Sequence, residues 1–276
     1  MLVMRRLALF ASMLPLLAIA LSPIAAQQEQ APAPPQVGQK GKDVQWVPTP
    51  PALVDKMLDM AAVTPKDYLV DLGSGDGITV IAAAKRGVRA LGIEYDANLV
   101  DLSKRNAKAA GVDSLARFTR GDIFKTDFSR ATVVTTFLLP SLNLQLRPTI
   151  LAMKPGTRVV SNTFPFGDWE PDDTATIDER CERWCKALFW VVPARIAGSW
   201  RTPKGDLTLT QKFQFVSGTL GKEPISGGRL RGDQLTFTAG TTTYSARVSD
   251  YRMDGTSVSA GQSSSWNAIR RATNDQ

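Results

Sequence analysis

The most constraining feature of this chain is a glycine-rich segment that follows a short apolar run. The run, residues 68–72, reads Tyr-Leu-Val-Asp-Leu and carries one acidic residue, Asp71. Three glycines follow at alternate positions from Gly73 to Gly77, and the apolar sequence that begins at Ile78 is typical of a helix. We therefore predict a strand, a tight turn and a helix amino terminus, which together let backbone approach a bound ligand closely. A dinucleotide fingerprint places its third glycine one position later, where this chain has Ile78.

Further strand-like segments follow in the order expected of a parallel α/β sheet. They cover residues 88–93, 116–119, 133–137 and 158–162. Glu94 ends the first of them, and a carboxylate at this place in such folds accepts hydrogen bonds from both ribose hydroxyls. The alternative for Glu94 is a helix cap or a solvated strand end. Asp122 follows the second segment, where an acidic residue is also a common turn former.

The Asp-Leu-Gly-x-Gly-x-Gly segment resembles motif I of class I S-adenosylmethionine (SAM) methyltransferases. The resemblance implies an α/β fold with a Rossmann-like seven-stranded sheet and SAM as the methyl donor. It also implies that the glycine loop packs against the methionine end of SAM, that Asp71 helps to hold its amino group, and that Asp122 meets the adenine amino group. The residues predicted to bind the cofactor are Asp71, Gly73, Ser74, Gly75, Gly77, Glu94 and Asp122.

Three further segments narrow the resemblance to a group of seven-stranded protein-lysine methyltransferases. They read Val-Pro-Thr-Pro at 47–50, Phe-Leu-Leu-Pro-Ser at 137–141 and Asn-Thr-Phe-Pro at 162–165. The group includes the mitochondrial enzymes that modify the ATP synthase c-subunit and the adenine nucleotide translocase, and the similarity spans residues 46–193. One position departs from the group, which has Arg directly after the third glycine, where this chain has Ile78.

The resemblance implies a wall around the methyl-transfer channel at the end of the fourth strand. The channel candidates are Thr136, Phe137, Leu138, Leu139 and Pro140. In an open α/β sheet this edge is where ligands bind. For Leu138 and Leu139 plain core packing is the alternative. The sequence assigns no residue to a catalytic role.

The chain contains no histidine, the commonest general base in enzymes. SAM carries a sulfonium that activates its own methyl group, so the protein has to align an acceptor. An amine acceptor does not need a histidine base if it loses its proton on entering an apolar channel. The resemblance, with which this chemistry agrees, implies SAM-dependent N-methylation of a protein lysine. The alternatives are a methyltransferase that acts on a small-molecule amine and an exported SAM-fold binding module without transfer activity.

The amino-terminal residues have the pattern of a secretory signal peptide. Arg5 and Arg6 precede an apolar run over 7–21, and small residues up to Ala26 end it. We predict cleavage after Ala26 and export to the periplasm or cell envelope, with an uncleaved amino-terminal membrane anchor as the alternative. The polar and proline-rich composition of residues 27–43 predicts a disordered linker.

Composition bears on partners and on metals. There are 33 Lys and Arg against 26 Asp and Glu, but no basic block or aromatic-interleaved stripe that would indicate nucleic acid binding. The mild positive excess is compatible with contact to an envelope or membrane surface. A metal site is not predicted, because Cys181 and Cys185 are the two cysteines and histidine is absent. On a helix their spacing would place both on one face, either as a disulfide or as two free thiols.

The residue pattern of the sequence changes after Pro193. Short segments with alternating apolar and polar residues follow one another, separated by Gly or Asp turns, at 197–200, 206–213, 228–231, 234–238, 243–248, 255–258 and 265–270. This pattern predicts a small antiparallel β-barrel or sandwich. We therefore divide the chain into a methyltransferase domain over 44–193 and a β domain over 194–276. The β domain is either a substrate- or envelope-binding module or a structural cover for the methyltransferase sheet.

Overall fold

The computed structural model describes residues 36–178 and 181–271. The predicted signal peptide and residues 27–35 of the predicted linker lie outside these ranges. The described helices are α1 (Pro51–Met60), α2 (Ile78–Lys85), α3 (Ala97–Ala109) and α4 (Pro140–Leu151). None of these helices is long and apolar enough to cross a membrane, and that statement covers the described ranges alone.

A seven-stranded sheet forms the first part of the protein. Its strands are β1 (Tyr68–Leu72), β2 (Arg89–Glu94), β3 (Ala116–Arg120), β4 (Val133–Thr136), β5 (Arg158–Asn162), β6 (Asp173–Thr176) and β7 (Lys186–Val191), in the spatial order β3-β2-β1-β4-β5-β7-β6. The strands β1 to β5 pair in parallel, whereas β7 runs antiparallel to both of its neighbours. The predicted Rossmann-like fold class is confirmed.

This strand order places one crevice at one edge of the sheet. The order reverses between β1 and β4, so the carboxyl ends of these two strands flank the crevice, as in other open α/β sheets. Because β7 is antiparallel to β5, the beginning of β7 lies at the same edge. Loops after β1, β2, β3, β4 and β5 and the loop before β7 therefore converge there.

Apolar side chains cover both faces of the sheet, which explains why its inner strands are almost continuously apolar. On one face, residues of α1, α2 and α3 pack with Leu69 and Val133. On the other face, Leu146 and Ile150 of α4 pack with Val70. The sheet is thus the middle layer of a three-layer structure.

The second part of the protein is a closed antiparallel barrel. Its strands are β8 (Gly198–Thr202), β9 (Gly205–Lys212), β10 (Phe215–Leu220), β11 (Glu223–Arg231), β12 (Gln234–Ala239), β13 (Thr242–Val248), β14 (Arg252–Ser259) and β15 (Gln262–Arg270). The sequence predicted either a barrel or a sandwich for this part of the chain, and the structure shows a barrel. Strand β10 was missed by the sequence pattern. The interior contains the buried aromatic side chains of Trp200, Phe237, Tyr244 and Trp266.

Sheet and barrel are joined through buried polar and aromatic contacts. The indole Nε1 of Trp169 donates to Oε1 of Gln214 at 3.0 Å, and the Gln214 amide donates to the carbonyl of Glu170 at 2.7 Å. Gln214 is fully buried, and the Phe213 ring stacks on Trp169 with centroids 6.1 Å apart. Arg229 of β11 pairs with the carboxylate of Asp172 at 2.8 Å. The barrel therefore packs against the sheet domain through buried side chains.

Residues 36–46 form a short hairpin, in contrast to the disorder that composition predicts for residues 27–43. The N–H of Gly38 donates to the carbonyl of Trp46 at 2.8 Å, and the N–H of Trp46 donates to the carbonyl of Gln39 at 3.0 Å. The prediction of disorder from polar and proline-rich composition is wrong for residues 36–43, because long-range contacts stabilise the hairpin. These contacts are described below with the site.

Cys181 and Cys185 are joined by a disulfide with a Cα–Cα distance of 5.8 Å. The expectation of a shared helical face is wrong, because the two cysteines lie in the connection between β6 and β7 and not in a helix. The N–H of Ile177 donates to the carbonyl of Cys185 at 2.9 Å and continues the ladder of the hairpin to this point. Residues 179–180 of the same connection lie outside the described residues.

Candidate active site

The glycine loop between β1 and α2 has the backbone conformation that its residue types allow. Gly73, Gly75 and Gly77 have φ angles of +77°, +53° and +85°, in the left-handed region that side chains disfavour. At Gly77 a Cβ atom would lie 2.7 Å from the ring of Phe118. This third glycine is therefore explained by packing as well as by the turn.

Asp71 lies at the carboxyl end of β1 and is 6% exposed. Its Oδ1 accepts a hydrogen bond of 2.7 Å from the hydroxyl of Thr135 on β4. Burial raises the pKa of the Asp71 carboxyl to about 7, against the effect of that hydrogen bond, and the nearby carboxylates of Glu94 and Asp76 raise it further. A buried acid with a pKa near neutrality in a cleft is a candidate functional group.

Glu94 ends β2, beside the glycine loop. Its Oε2 accepts from the N–H of Gly75 at 2.9 Å, and its Oε1 accepts from the N–H groups of Tyr95 and Asp96 at 2.8 and 3.0 Å. The side chain therefore ties the loop after β1 to the loop after β2. The same carboxylate is a lining group of the cavity described next.

Asp122 follows β3, and its carboxylate already has a cationic partner. Oδ2 accepts from the ammonium of Lys42 at 3.1 Å, and Oδ1 accepts from the N–H of Phe124 at 3.0 Å. The Phe124 N–H and then the Lys42 ammonium hold the pKa of the Asp122 carboxyl below its usual range. Lys42 also lies 4.9 Å from the ring centroid of Tyr95. No sequence pattern pointed to Lys42, which is 80 residues from Asp122.

These groups surround a cavity of about 650 Å³ at the carboxyl edge of the sheet. Of the predicted site residues, the cavity is lined by Asp71, Gly73, Ser74, Gly75, Glu94, Asp122, Thr136, Phe137 and Leu138. Gly77 and Pro140 are not in the lining, since Gly77 is the N-cap residue of α2 and Pro140 begins α4. Leu139 lines the cavity and is also 44% exposed, whereas Leu138 is 4% exposed.

The hairpin of residues 36–46 forms one wall of the cavity. A Cβ atom at Gly75 would lie 2.5 Å from Nε1 of Trp46, so the indole rests directly on the glycine loop. Gln39 donates to the carboxylate of Asp96 at 3.4 Å, next to the Lys42–Asp122 pair. These contacts explain the order of the hairpin. The sequence identified the neighbouring Val-Pro-Thr-Pro segment and missed Trp46.

The opposite end of the cavity is apolar. Phe137 follows β4, Phe164 follows β5 and Trp184 precedes β7, and all three line the cavity. Their ring centroids are 5.3 to 6.2 Å apart. Trp184, which sequence reasoning also missed, lies between the two cysteines of the disulfide. The cavity therefore has carboxylates at one end and aromatic rings at the other.

The residues present fit SAM. The cavity volume lies in the range of ordinary cofactor pockets, and the glycine loop presents backbone without side chains. The hydroxyls of Ser74 and Thr136 are buried without a hydrogen-bond partner among the described residues, and both residues line the cavity. Such groups are expected to find a partner in a ligand or in water. Across the ranges 36–178 and 181–271, no group of three or more acidic, Cys or His residues could hold a metal ion.

Comparison with known proteins agrees with this geometry. A sequence model described as the ANTKMT methyltransferase domain matches residues 71–173. A protein-lysine N-methyltransferase of Saccharolobus islandicus is 39% identical over 139 residues, which are 49% of this chain and 86% of that protein. The Mus musculus lysine N-methyltransferase of the ATP synthase c-subunit is 43% identical over 107 residues. Those residues are 38% of this chain and 43% of the mouse protein, so less than half of that relative is matched.

One solved structure is similar to about half of this chain. It is described as an RNA methyltransferase from Salinibacter ruber in complex with S-adenosyl-L-homocysteine (SAH). It is 47% identical in sequence, with a TM-score of 0.51, and the alignment covers 54% of this chain and 96% of that chain. The alignment therefore includes nearly all of the Salinibacter chain and leaves almost half of this one without a counterpart in it.

Proposed function

The chain belongs to the family of SAM-dependent protein-lysine N-methyltransferases, and from that premise we propose how its cavity serves the reaction. The observation that supports the proposal is the division of one cavity into a carboxylate end and an aromatic end. We assign the carboxylate end to the cofactor and the aromatic end to the acceptor amine. Among α/β sheets, this edge is the usual place for both ligands to meet.

At the carboxylate end, each acid has a separate task. Asp71 holds the amino group of the methionine part, Glu94 accepts from the ribose hydroxyls and Asp122 accepts from the adenine amino group. SAM supplies a methyl group on a sulfonium, so no group of the protein has to activate the donor. The Trp46 indole lies against Gly75 of the glycine loop and covers it. These residues orient the donor and leave one direction of approach for the acceptor.

At the aromatic end, the acceptor lysine loses its proton through desolvation. Only a neutral amine has the lone pair that attacks carbon, and a free lysine has a pKa of about 10.4. The lysine arrives at the rings as an ammonium, and loss of its remaining water as it moves on towards the donor disfavours the charged form and lowers that pKa. The chain has no histidine to accept the proton, so we assign its removal to water in the cavity after the side chain has entered.

The proposal is tested with the purified protein in two steps. Calorimetry measures SAM and SAH binding, for which we expect single-site dissociation constants. Transfer of a labelled methyl group is then measured on lysine-containing peptides, with the same peptides carrying arginine in place of lysine as controls. Label on the lysine peptides alone supports the proposal. No cofactor binding, or equal label on the arginine peptides, would contradict it.

RNA is a second candidate acceptor, because the similar Salinibacter chain is described as an RNA methyltransferase. The net charge of +7 on this chain does not oppose it. The same assay therefore includes a bulk RNA fraction at two salt concentrations. We expect protein lysine to be the acceptor, and salt-sensitive label on RNA without label on peptide would favour the second candidate.

For location, we propose that the protein acts outside the cytoplasm, in the periplasm or at the cell envelope. The sequence of residues 1–26 supports this proposal, and an envelope protein is then the natural acceptor. Amino-terminal sequencing of the protein recovered from its own cells is expected to begin near Gln27. A soluble cytoplasmic form that starts at Met1 would overturn the proposal.

A further inference from the structure

We propose that Phe137, Phe164 and Trp184 form a binding site for the alkylammonium group of the acceptor side chain, and that the Cys181–Cys185 disulfide holds Trp184 in this site. The inference rests on the proposed function, because it assigns the acceptor end of the same cavity. It adds a chemical preference for a cation and a positioning role for the disulfide.

The topology of the sheet brings the three rings together. Phe137 follows the end of β4, and Phe164 comes two residues after the end of β5. Trp184 comes two residues before β7, and the antiparallel direction of β7 returns it to the same edge. The Phe164 ring lies 6.2 Å from that of Phe137 and 5.3 Å from that of Trp184. Three residues far apart in sequence therefore form one aromatic surface.

Two of the three rings are fixed by the sheet itself. Phe137 directly follows a buried strand, and its neighbour Leu138 is buried in the core. The carbonyl of Phe164 accepts hydrogen bonds from the hydroxyl of Ser161 at 2.7 Å and from the amide of Asn143 at 2.9 Å. These contacts set the position of the surface before any ligand arrives.

Trp184 depends on a different support. It has a φ angle of +62°, a conformation that a bulky residue rarely adopts without outside restraint. The disulfide closes the chain around it, and the Ile177–Cys185 hydrogen bond attaches the closed segment to the β6–β7 hairpin. The disulfide thus restrains the backbone that carries the indole.

The chemistry of the surface favours a cation over a neutral apolar group. Aromatic faces carry negative potential and attract ammonium groups within about 6 Å of their centroids. Trp184 is 38% exposed although it is a large aromatic residue, so one part of the indole remains available to a ligand. A lysine that already carries methyl groups keeps its charge while losing hydration, so its affinity for such a surface rises with each methyl group.

The first experiment measures binding and needs no turnover. The protein is saturated with SAH, and the probe is N-acetyl-Nε-trimethyllysine methylamide, with the neutral analogue in which carbon replaces the charged nitrogen as its control. We expect the ammonium probe to bind about fivefold or more tightly than the neutral analogue. W184A should remove this difference and W184F should keep most of it, with SAH binding unchanged in both variants.

The second experiment tests the disulfide. The double variant C181S/C185S, and the wild-type protein after reduction, should show a raised KM for a lysine peptide, with SAM affinity and thermal midpoint close to those of the oxidised protein. Mass spectrometry of the products should show a smaller fraction of di- and trimethyllysine. Y251A is the matched control, because Tyr251 is 74% exposed on the barrel and should change neither quantity.

The outcomes separate this inference from the proposed function. Loss of SAH binding in every protein, wild type included, would contradict the proposed function. Equal affinity for the charged and neutral probes would show an apolar contact and overturn the cation site. An unchanged KM in C181S/C185S would overturn the role of the disulfide, and a loss that appears equally in Y251A would overturn the assignment to Trp184.

Discussion

Asp71 combines a cost in stability with the role in cofactor binding that we propose for it. Below about pH 4 its carboxyl is protonated in both the folded and the unfolded protein. Between about pH 4 and the folded-state pKa of about 7, the unfolded chain loses this proton while the folded protein keeps it. The free energy of unfolding therefore falls as pH rises through that window, by at most about 1.4 kcal/mol per pH unit from this group. Above the window the contribution stays constant.

Replacing Asp71 with Asn should separate the two effects. The amide oxygen can still accept from Thr135, and no charge is buried, so D71N should be more stable than the wild type near pH 8 and nearly equal at pH 4. Wild-type affinity for SAM should rise from pH 5.5 to 7 as the carboxylate forms, and D71N should bind weakly at every pH. Denaturant unfolding and calorimetry across pH measure both quantities. A SAM affinity of D71N equal to that of the wild type would contradict the assigned role.

Replacing Glu94 with Ala should weaken SAM binding by roughly 1–3 kcal/mol, because two ribose hydroxyls lose a charged acceptor. The N–H of Gly75 also loses its partner, so the thermal midpoint has to be measured beside the dissociation constant. E94Q is the matched variant, since it retains one carbonyl oxygen for the Gly75 N–H. A midpoint shift without any change in affinity would show that Glu94 serves the loop alone.

For single residues, the sequence predicted which acidic side chains lie at the ends of strands, but it could not predict which side chains pair with them. Asp71, Glu94 and Asp122 were identifiable because each lies at or just after the end of an apolar segment. Lys42 reaches Asp122 across 80 residues, and such a pairing leaves no local pattern. Gly77 fits the motif, but its contact with Phe118 depends on packing between elements.

Among the elements, the hairpin of residues 36–46 has the largest consequence for the cofactor. Its Trp46 lies against the glycine loop. Its Lys42 donates a hydrogen bond to the carboxylate of Asp122, the group that we assign to the adenine amino group. An entering cofactor therefore has to displace or rearrange the lysine while it gains the cover of the indole. Cofactor exchange should be controlled by this hairpin.

Replacing Trp46 with Ala should accelerate SAM dissociation. Loss of one well-packed aromatic cover is worth about 1–2 kcal/mol, which corresponds to roughly a five- to thirtyfold faster release. W46F should lie between the wild type and W46A, because it restores part of the contact. Stopped-flow displacement of SAM by excess SAH gives the rate. Identical rates in all three proteins would show that the hairpin moves away when the cofactor binds.

Strand β10 shows where element prediction failed in the barrel. Its alternating pattern is interrupted by Gly218, and the turn before it contains Phe213 at a φ angle of +54° instead of a glycine or asparagine. Hairpins are recognised in sequence largely through such turn residues. The residue that replaces them here, Phe213, is held by its stacking on Trp169, which is a property of the folded protein.

For the whole molecule, the buried contacts between the two domains lead us to expect that sheet and barrel unfold together. The segment that joins them is itself buried, since Ala194 is 5% exposed and Ile196 is fully buried. The N–H of Ala194 also donates to the carbonyl of Gly232 in the barrel at 2.8 Å. Both interpretations of the β domain, a binding module and a structural cover for the methyltransferase sheet, stay predictions.

Replacing Gln214 with Ala should lower the free energy of unfolding by roughly 1–3 kcal/mol, because the Trp169 indole and the Glu170 carbonyl lose their buried partner. Denaturant unfolding should remain a single transition when followed by cofactor binding and by circular dichroism. Q234A is the matched control, since Gln234 is exposed and bonds to its neighbour Asp233, and it should change stability by less than about 0.5 kcal/mol. Two separate transitions in the wild type would contradict this coupling of the two domains.

The closure of the barrel carries a consequence for the order of folding. The first and last strands, β8 and β15, pair through two residue pairs. The guanidinium of Arg270 in β15 donates hydrogen bonds to the carbonyls of Arg195 and Ala197. It also lies 4.4 Å from the Trp200 ring centroid. These contacts join residues about 70 positions apart, and contacts of such long range form slowly. Until they form, β8 and β15 present two unpaired edges that can pair with other chains. We therefore expect this protein to be most prone to aggregation between the synthesis of β8 and the docking of Arg270.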